Sequence, residues 1–333
     1  MRVVRDFFAK PFRWALCFGL ALTLAFAGAL ADTFLIARRL TPQVAWSSQS
    51  ATAGSTAGST SATSANATDA DGAASGSGFS VESENTEVAA EITATSYKDA
   101  NITITLEYAR IEDTDVYIAE VWLSDVGYLR SAFAQGDYGR NIKADTSQTA
   151  AEVGAILAIN GDFYGSRDDS WVLRNGQLFR SSRDSDPVLA VDANGDFTCL
   201  DGDELSQDSA LEQGLWQVWS FGPPLVEDGQ IAVSRDQEIL GRAANSNPRT
   251  AIGQIDERHY LLVVSDGRTD DNAGLSLYQL ASVFAERGCQ VAYNLDGGGS
   301  STMYFNGEVI NNPTSGKRSS SEREVSDIVY IGY

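Results

Sequence analysis

The chain has one histidine, His259, and three cysteines, Cys17, Cys199 and Cys289, among 333 residues. One histidine excludes a multi-histidine metal centre and argues against a histidine-based nucleophilic triad. Three cysteines exclude a disulfide-dense scaffold and a four-cysteine zinc site. Basic residues are also scarce: 24 Lys and Arg against 45 Asp and Glu give a formal charge of −21. So acidic a surface repels a phosphate backbone, which removes nucleic acid from the list of partners.

The charge is unevenly spread. Residues 1–79 carry six basic and four acidic side chains, net +2, which leaves 18 basic and 41 acidic, net −23, for residues 80–333. Arg2, Arg5, Lys10 and Arg13 precede an uncharged apolar run from Trp14 to Ala31. After Asp32 the apolarity resumes at Phe34 and stops at Arg38-Arg39. The 18 uncharged residues suffice to cross a bilayer. The basic flank holds the N-terminus in the cytoplasm and sends the rest outward. Residues 1–13 therefore read as a cytoplasmic tail and 14–37 as a transmembrane signal anchor. A cleaved signal peptide is the competing reading, because Ala29-Leu30-Ala31 fits an A-x-A site. The length of the run and its continuation past Asp32 favour the anchor. Either way the expected location is the cell membrane or beyond it, with the C-terminal part extracellular. Ser47 to Gly78 is almost entirely Ser, Thr, Ala and Gly. Such a tract cannot bury a core, so residues 38–91 read as a disordered linker.

Residues 92–333 read as one domain of the α+β class, rich in β structure, with a mixed sheet and few helices. Ile102, Ile104 and Leu106 alternate with threonines, as strands do. Asn175-Gly176, Asn194-Gly195 and Asn306-Gly307 each lie between strand-like runs and predict hairpin turns. Asp192–Asp196 lacks the terminal acidic ligand of a calcium loop, so a solvated hairpin tip is expected. Thr146 to Val153 predicts a short helix capped by Asp145 or Thr146. Leu277, Leu280, Ala281 and Phe284 follow the i, i+3, i+4, i+7 pattern of a helix, and Gly288 marks its stop. The strand–helix–strand unit at 260–295 fits a right-handed parallel crossover.

Four segments each place polar residues just after an apolar strand: Ala158-Ile159-Asn160-Gly161-Asp162-Phe163-Tyr164, Asn247-Pro248-Arg249-Thr250-Ala251-Ile252-Gly253, Val263-Val264-Ser265-Asp266-Gly267-Arg268, and Tyr293-Asn294-Leu295-Asp296-Gly297-Gly298-Gly299-Ser300-Ser301. Ligands in sheets with helices favour strand ends, and three aspartates sit there. The glycine triplet matches neither a Walker loop nor G-x-G-x-x-G. It lets a backbone approach a ligand closely and can turn N–H groups toward an anion. Arg249 and Arg268 carry forked donors suited to phosphate or carboxylate, or to an ion pair with a nearby aspartate.

In this order the segments N-G-x-F-Y, P-R-T-A-I-G, S-D-G-R and N-L-D-G-G-G-S-S-T-M resemble the phosphodiester glycosidase (N-acetylglucosamine-1-phosphodiester α-N-acetylglucosaminidase) family. Its bacterial relatives include exopolysaccharide biosynthesis proteins. The resemblance is strong over about 155–333. It implies hydrolysis of a sugar-1-phosphodiester by a membrane-anchored hydrolase acting on surface glycans. It implies further that Arg249, Arg268 and the N–H groups of Gly297, Gly298, Gly299 and Ser300 hold the phosphate, with Ser300 or Ser301 donating to it. Asn160 and Asn294 would orient sugar hydroxyls. Asp296 would act as base, nucleophile or stabiliser of an oxocarbenium-like state, with Asp266 second. Asp162 stands where relatives often carry a small residue, so it ranks third. Arg323, in R-x-V-S, reaches either the site or the surface. Lys317-Arg318 lies in a loop that could act as a lid. Three aspartates near a phosphate could also hold calcium or magnesium. Two other functions compete: a non-catalytic glycan-binding or envelope-assembly module, and a metal-dependent phosphodiesterase.

Overall fold

A computed structural model describes residues 13–42, 90–234, 246–315 and 321–333. Most of the expected linker, together with Lys317-Arg318, lies outside the described residues. The N-terminal apolar run forms helix α1 (Arg13–Phe34). Its window Ala15–Asp32 has a mean hydropathy of 1.8 and buries nothing inside the protein. By length and composition it is a membrane anchor or a signal sequence. Directly after it, strand β1 (Arg38–Arg39) pairs antiparallel with Gly139–Arg140. A Cβ on Gly139 would lie 2.3 Å from the Arg38 carbonyl oxygen, so only glycine admits this neighbour. The first residues of the expected linker are thus an edge strand.

The class is the expected one, β-rich with few helices. The largest sheet has nine strands and two others have five each. The centre of the large sheet uses β2 (Ile102–Ile111) and β3 (Thr114–Leu123). Strand β4 (Leu157–Asn160) belongs to a second sheet. Strands β5 (Arg249–Asp256), β6 (His259–Ser265) and β7 (Val291–Asn294) complete the centre, in the order β7-β5-β6-β3-β2. Strand β8 (Asp327–Ile331) pairs with β4. All the ladders at this centre are antiparallel. The expected strand–helix–strand unit is present, with β6 and β7 running the same way, but they are not neighbours. The β5–β6 hairpin places β5 beside β6, and β5 pairs with both strands. The parallel contact is replaced by two antiparallel ones.

Alternation along β6 explains its unbroken apolar run. Tyr260, Leu262 and Val264 join the core between the two sheets, with Ile104, Val121, Ile159, Met303 and Val329. Leu261 and Val263 pack with Leu277, Leu280, Ala281 and Phe284 of helix α2 (Leu277–Glu286). A strand buried on both faces reads as continuously apolar. Helix α2 opens on a capping box of Ser276 and Gln279, and Gly288 follows its end at φ 80°. The sheet meets the helix most closely at Gly253, where a Cβ would lie 2.7 Å from Phe284 Cδ1 and 3.0 Å from the Val291 carbonyl oxygen. Gly253→Val should therefore cost about 1–3 kcal/mol by overpacking. A urea melt checks this, and an unchanged midpoint would refute it.

Other local expectations stand with modifications. Asn175 and Gly176 (φ 50° and 77°) and Asn306 and Gly307 (φ 47° and 100°) form left-handed hairpin turns. The Asp192–Asp196 tip is solvated at Ala193, Asn194 and Asp196 as expected, and is tethered at the buried Gly195, whose carbonyl accepts from the Tyr260 hydroxyl at 2.8 Å. The short helix spans Thr146–Glu152, but the Asp145 side chain does not cap it. Instead the Ser147 N–H donates to the Glu322 carboxylate at 3.0 Å, so the cap arrives from far along the chain.

Candidate active site

Strand β5 begins where β6 and β7 end, because Arg249 pairs with Ser265 and Ala251 with Asn294. Antiparallel pairing thus sends the residues after β6 and β7 and those before β5 to one edge, so the Asn247-Pro248-Arg249 segment leads into its strand instead of following one as expected. Strand β4 arrives there from the second sheet. Asn160 Nδ2 donates to the Asp296 carbonyl at 2.6 Å, and the Asp296 N–H donates to the Gly161 carbonyl at 3.3 Å. All four motif segments meet.

The glycine triplet is where they touch. A Cβ on Gly297 would lie 2.9 Å from the Pro248 carbonyl, beside Arg249. Gly298, at φ 64°, admits the Arg268 guanidinium, which a Cβ would approach to 2.9 Å. A Cβ on Gly299 would lie 3.2 Å from Ser315 Cα and 3.5 Å from Arg323 Cδ. Three arginines from separate elements therefore surround one turn. Burial, and then repulsion by Arg268, pull the Arg249 pKa down to about 10. Arg249 is buried, with Nε donating to the Leu275 carbonyl at 2.9 Å, and Arg268 is exposed; two guanidinium groups this close favour an anion there. Arg268 is oriented by Asn247, whose Oδ1 accepts from Nε (3.1 Å) and Nη2 (2.9 Å). The turn's own N–H groups contribute less than expected: those of Gly298, Ser300 and Ser301 donate to the carbonyls of Pro248, Gly297 and Gly298.

Asp296 stands beside the turn, 8 % exposed. Its Oδ2 accepts from Ser300 Oγ (2.6 Å) and Arg323 Nη2 (2.9 Å). Arg323 Nε donates to Ser300 Oγ (2.9 Å), so Ser300 serves the carboxylate and Arg323 reaches the site. Burial raises the Asp296 pKa, while Arg323 and Ser300 pull against it. Asp266 is held on both oxygens: Oδ1 by Asn311 Nδ2 (3.2 Å) and the Asn312 N–H (2.9 Å), Oδ2 by the Tyr117 hydroxyl (3.3 Å). Burial raises its pKa too, against those hydrogen bonds.

Asp162 differs from its expected role. It is fully buried, accepts from the N–H groups of Tyr164 (3.2 Å) and Ser220 (2.8 Å), and pairs with Arg174 Nη2 at 2.9 Å. The same nitrogen lies 2.9 Å from Asp327 Oδ2. This carboxylate braces the loop from inside. Asn160 also points inward: besides Asp296 it donates to the Gly161 carbonyl, and its Oδ1 accepts from Thr250 Oγ1 (2.8 Å) and the Thr302 N–H (3.3 Å). With its amide so occupied, Asn160 ties the two sheets together behind the site. Asn294 donates to the Gly222 carbonyl (2.8 Å), and Ser301 is buried beneath the turn, 1 % exposed. Asp162, Asp266 and Asp296 do not converge, and among the described residues no group of three His, Cys, Asp or Glu side chains could hold a metal ion. The three aspartates therefore do not form the shared calcium or magnesium site considered for them.

Sequence reasoning placed Asn247 in the second motif segment without a role, and missed Tyr117, Asn311, Arg174 and Asp327. Asp327 directly follows the R-x-V-S run. The others carry no local signal, since their partners are distant in the chain. His259 is structural, stacked on Trp122 at 4.5 Å and 2.8 Å from Glu120 Oε1. Cys199 and Cys289 are free thiols belonging to cores on opposite faces of the large sheet, and burial raises both pKa values to about 12.

The architecture and this edge define a β-rich domain that gathers arginines and a buried carboxylate around a glycine turn. The chain belongs to the phosphodiester glycosidase family, whose profile matches residues 153–332, more than half of the chain. It is 33 % identical over 191 residues to the SPbeta prophage-derived uncharacterized protein YomE of Bacillus subtilis (strain 168), covering 54 % of this chain and 28 % of the relative. It is 27 % identical over 196 residues to the Mus musculus N-acetylglucosamine-1-phosphodiester alpha-N-acetylglucosaminidase, covering 54 % and 37 %. The chain thus spans roughly a third of the length of these curated relatives. The fold is shared with the zebrafish N-acetylglucosamine-1-phosphodiester alpha-N-acetylglucosaminidase catalytic domain auto-inhibited by pro-peptide (TM-score 0.57, 21 % identity, 70 % of this chain and 83 % of that one). It is also shared with a hypothetical protein from Synechocystis (TM-score 0.53, 15 % identity, 70 % and 62 %).

Proposed function

We propose that this chain is a membrane-anchored hydrolase that cleaves a sugar-1-phosphodiester in surface glycans or related phosphoglycans, outside the cell. The observation that carries the reading is the meeting of Arg249 and Arg268 at the glycine turn beside Asp296. The arginines take the phosphate oxygens as forked donors. Asp296 lies next to them, where the anomeric carbon of the same diester comes to rest. The bond between that carbon and the phosphate oxygen breaks, and its electron pair leaves with the phosphate. A phosphate is a weakly basic leaving group, so the site manages without the general acid that ordinary glycosides require. Water supplies the new anomeric oxygen. Asp296 takes its proton, or first bonds the carbon and is then released by water. Arg323 and Ser300 fix the carboxylate's orientation through Oδ2. Asp266, saturated with hydrogen bonds, holds the 311–312 segment against the loop that carries Arg268.

The test is hydrolysis of an N-acetylglucosamine-1-phosphodiester by the full chain in oxygen-18 water, read by mass spectrometry at early times. Label in the sugar, with unlabelled phosphate monoester, is the expected outcome. Label in the phosphate would overturn the reading in favour of a phosphodiesterase. Saturable glycan binding without turnover would favour a binding module.

A further inference from the structure

Phe163 is the exposed aromatic of the four motif segments, 38 % exposed, whereas Tyr164 and Tyr293 are buried. Its backbone is left-handed, φ 71° and ψ 19°. A bulky side chain rarely adopts that region, and glycine or asparagine would do so more easily. Such strain persists only where the surroundings over-determine it, and it clusters at functional sites.

The surroundings here are specific. On one side, the Asp162 carboxylate grips the N–H groups of Tyr164 and Ser220 and is anchored by Arg174, which also holds Asp327. The Gly161 N–H donates to the Asp327 carbonyl at 2.9 Å. On the other side, the Tyr164 ring is sunk against Tyr138, with centroids 5.5 Å apart. Both neighbours of Phe163 are fixed inward, which turns the residue between them outward. The same loop meets the backbone of the candidate catalytic residue, because the Gly161 carbonyl accepts the Asp296 N–H.

We propose that the Phe163 ring is the platform on which the sugar of the diester stacks, and that the buried Asp162–Arg174–Asp327 network is the device that positions it. A pyranose is amphipathic, with C–H groups on its faces and hydroxyls at its rim. An exposed aromatic face matches the apolar side of that pattern. This assignment rests on the proposed hydrolysis and adds its sugar-specificity residue. It also gives a purpose to the buried Asp162 carboxylate.

The experiment is steady-state kinetics of the full chain on the same diester with Phe163→Ala, Phe163→Tyr and Phe163→Gly, together with their melting temperatures. Phe163→Ala should raise KM about tenfold with a smaller change in kcat, and Phe163→Tyr should restore KM. Phe163→Gly should raise KM as much without lowering Tm, because glycine accepts the left-handed backbone. An unchanged KM in the Ala and Gly variants, with a lowered Tm, would make the ring a packing residue and overturn the proposal. If the wild type does not turn over, the hydrolase reading fails separately. The platform is then scored by saturation-transfer NMR with N-acetylglucosamine 1-phosphate. Sugar-ring signals lost in Phe163→Ala support it; signals retained in that variant, or absent with the wild type, refute it.

Discussion

Asp296→Asn should lower kcat/KM by roughly a thousandfold or more while leaving the fold in place. Asparagine has nearly the same shape and keeps one oxygen to accept from Ser300 and Arg323. It loses the charge that makes Asp296 a base or nucleophile. The Arg323 side chain is 44 % exposed, so losing its ion pair costs little stability. Kinetics and a thermal melt on the same preparation check both halves. Undiminished turnover would move the catalytic role to Asp266. The pH dependence follows from the same carboxylate. Burial raises its pKa, so kcat/KM should fall on acidification at a pH above the ordinary carboxylate range of about 4. Arg323 opposes that rise. Arg323→Met should therefore move the acid limb to still higher pH.

The second large effect is on stability. Arg174→Met leaves Asp162 and Asp327 facing each other inside the protein, with 0 % and 1 % of their side chains exposed. Removing one partner of a buried ionic cluster costs about 3–5 kcal/mol. For a domain of this size that corresponds to a Tm lower by about 10 °C at neutral pH. The loss should shrink on acidification, because a protonated carboxyl no longer needs the guanidinium. Burial and the neighbouring Asp162 charge already lift the Asp327 pKa to about 7, with Arg174 opposing them. A carboxyl whose folded pKa exceeds its unfolded value contributes stability that is full below the unfolded value and lost as pH rises through the folded one. The wild type should therefore lose this contribution between about pH 4 and 7. Arg174→Met should lose more over the same window, and Asp327→Asn should flatten it. Thermal melts from pH 4 to 8 measure this, and a Tm deficit identical at pH 5 and pH 8 would refute it.

Much of this molecule is legible along the chain, because the governing interactions are short. The Asn175-Gly176 and Asn306-Gly307 turns follow from left-handed φ angles that few residue pairs tolerate. Helix α2 follows from apolar spacing ended by a stop glycine, and the structure adds its capping serine. Helix α1 follows from an uninterrupted apolar run. The motif segments are likewise local, as strand ends bearing polar residues and glycines.

Their meeting is not local. Which strand lies between β6 and β7 depends on hydrogen-bond partners far apart in sequence, and the antiparallel insertion of β5 brings Arg249 to the turn that carries Asp296. The function of each aspartate is set the same way. Asp162, Asp266 and Asp296 look alike as residues following strands. Asp162 meets a buried arginine from another sheet, Asp266 meets Asn311, Asn312 and Tyr117, and Asp296 alone lies beside the arginine-lined turn. A carboxylate's chemistry depends on the charges and donors within a few ångströms of it, and on how much water reaches it. Chain spacing encodes neither. Packing the two sheets against each other supplies both.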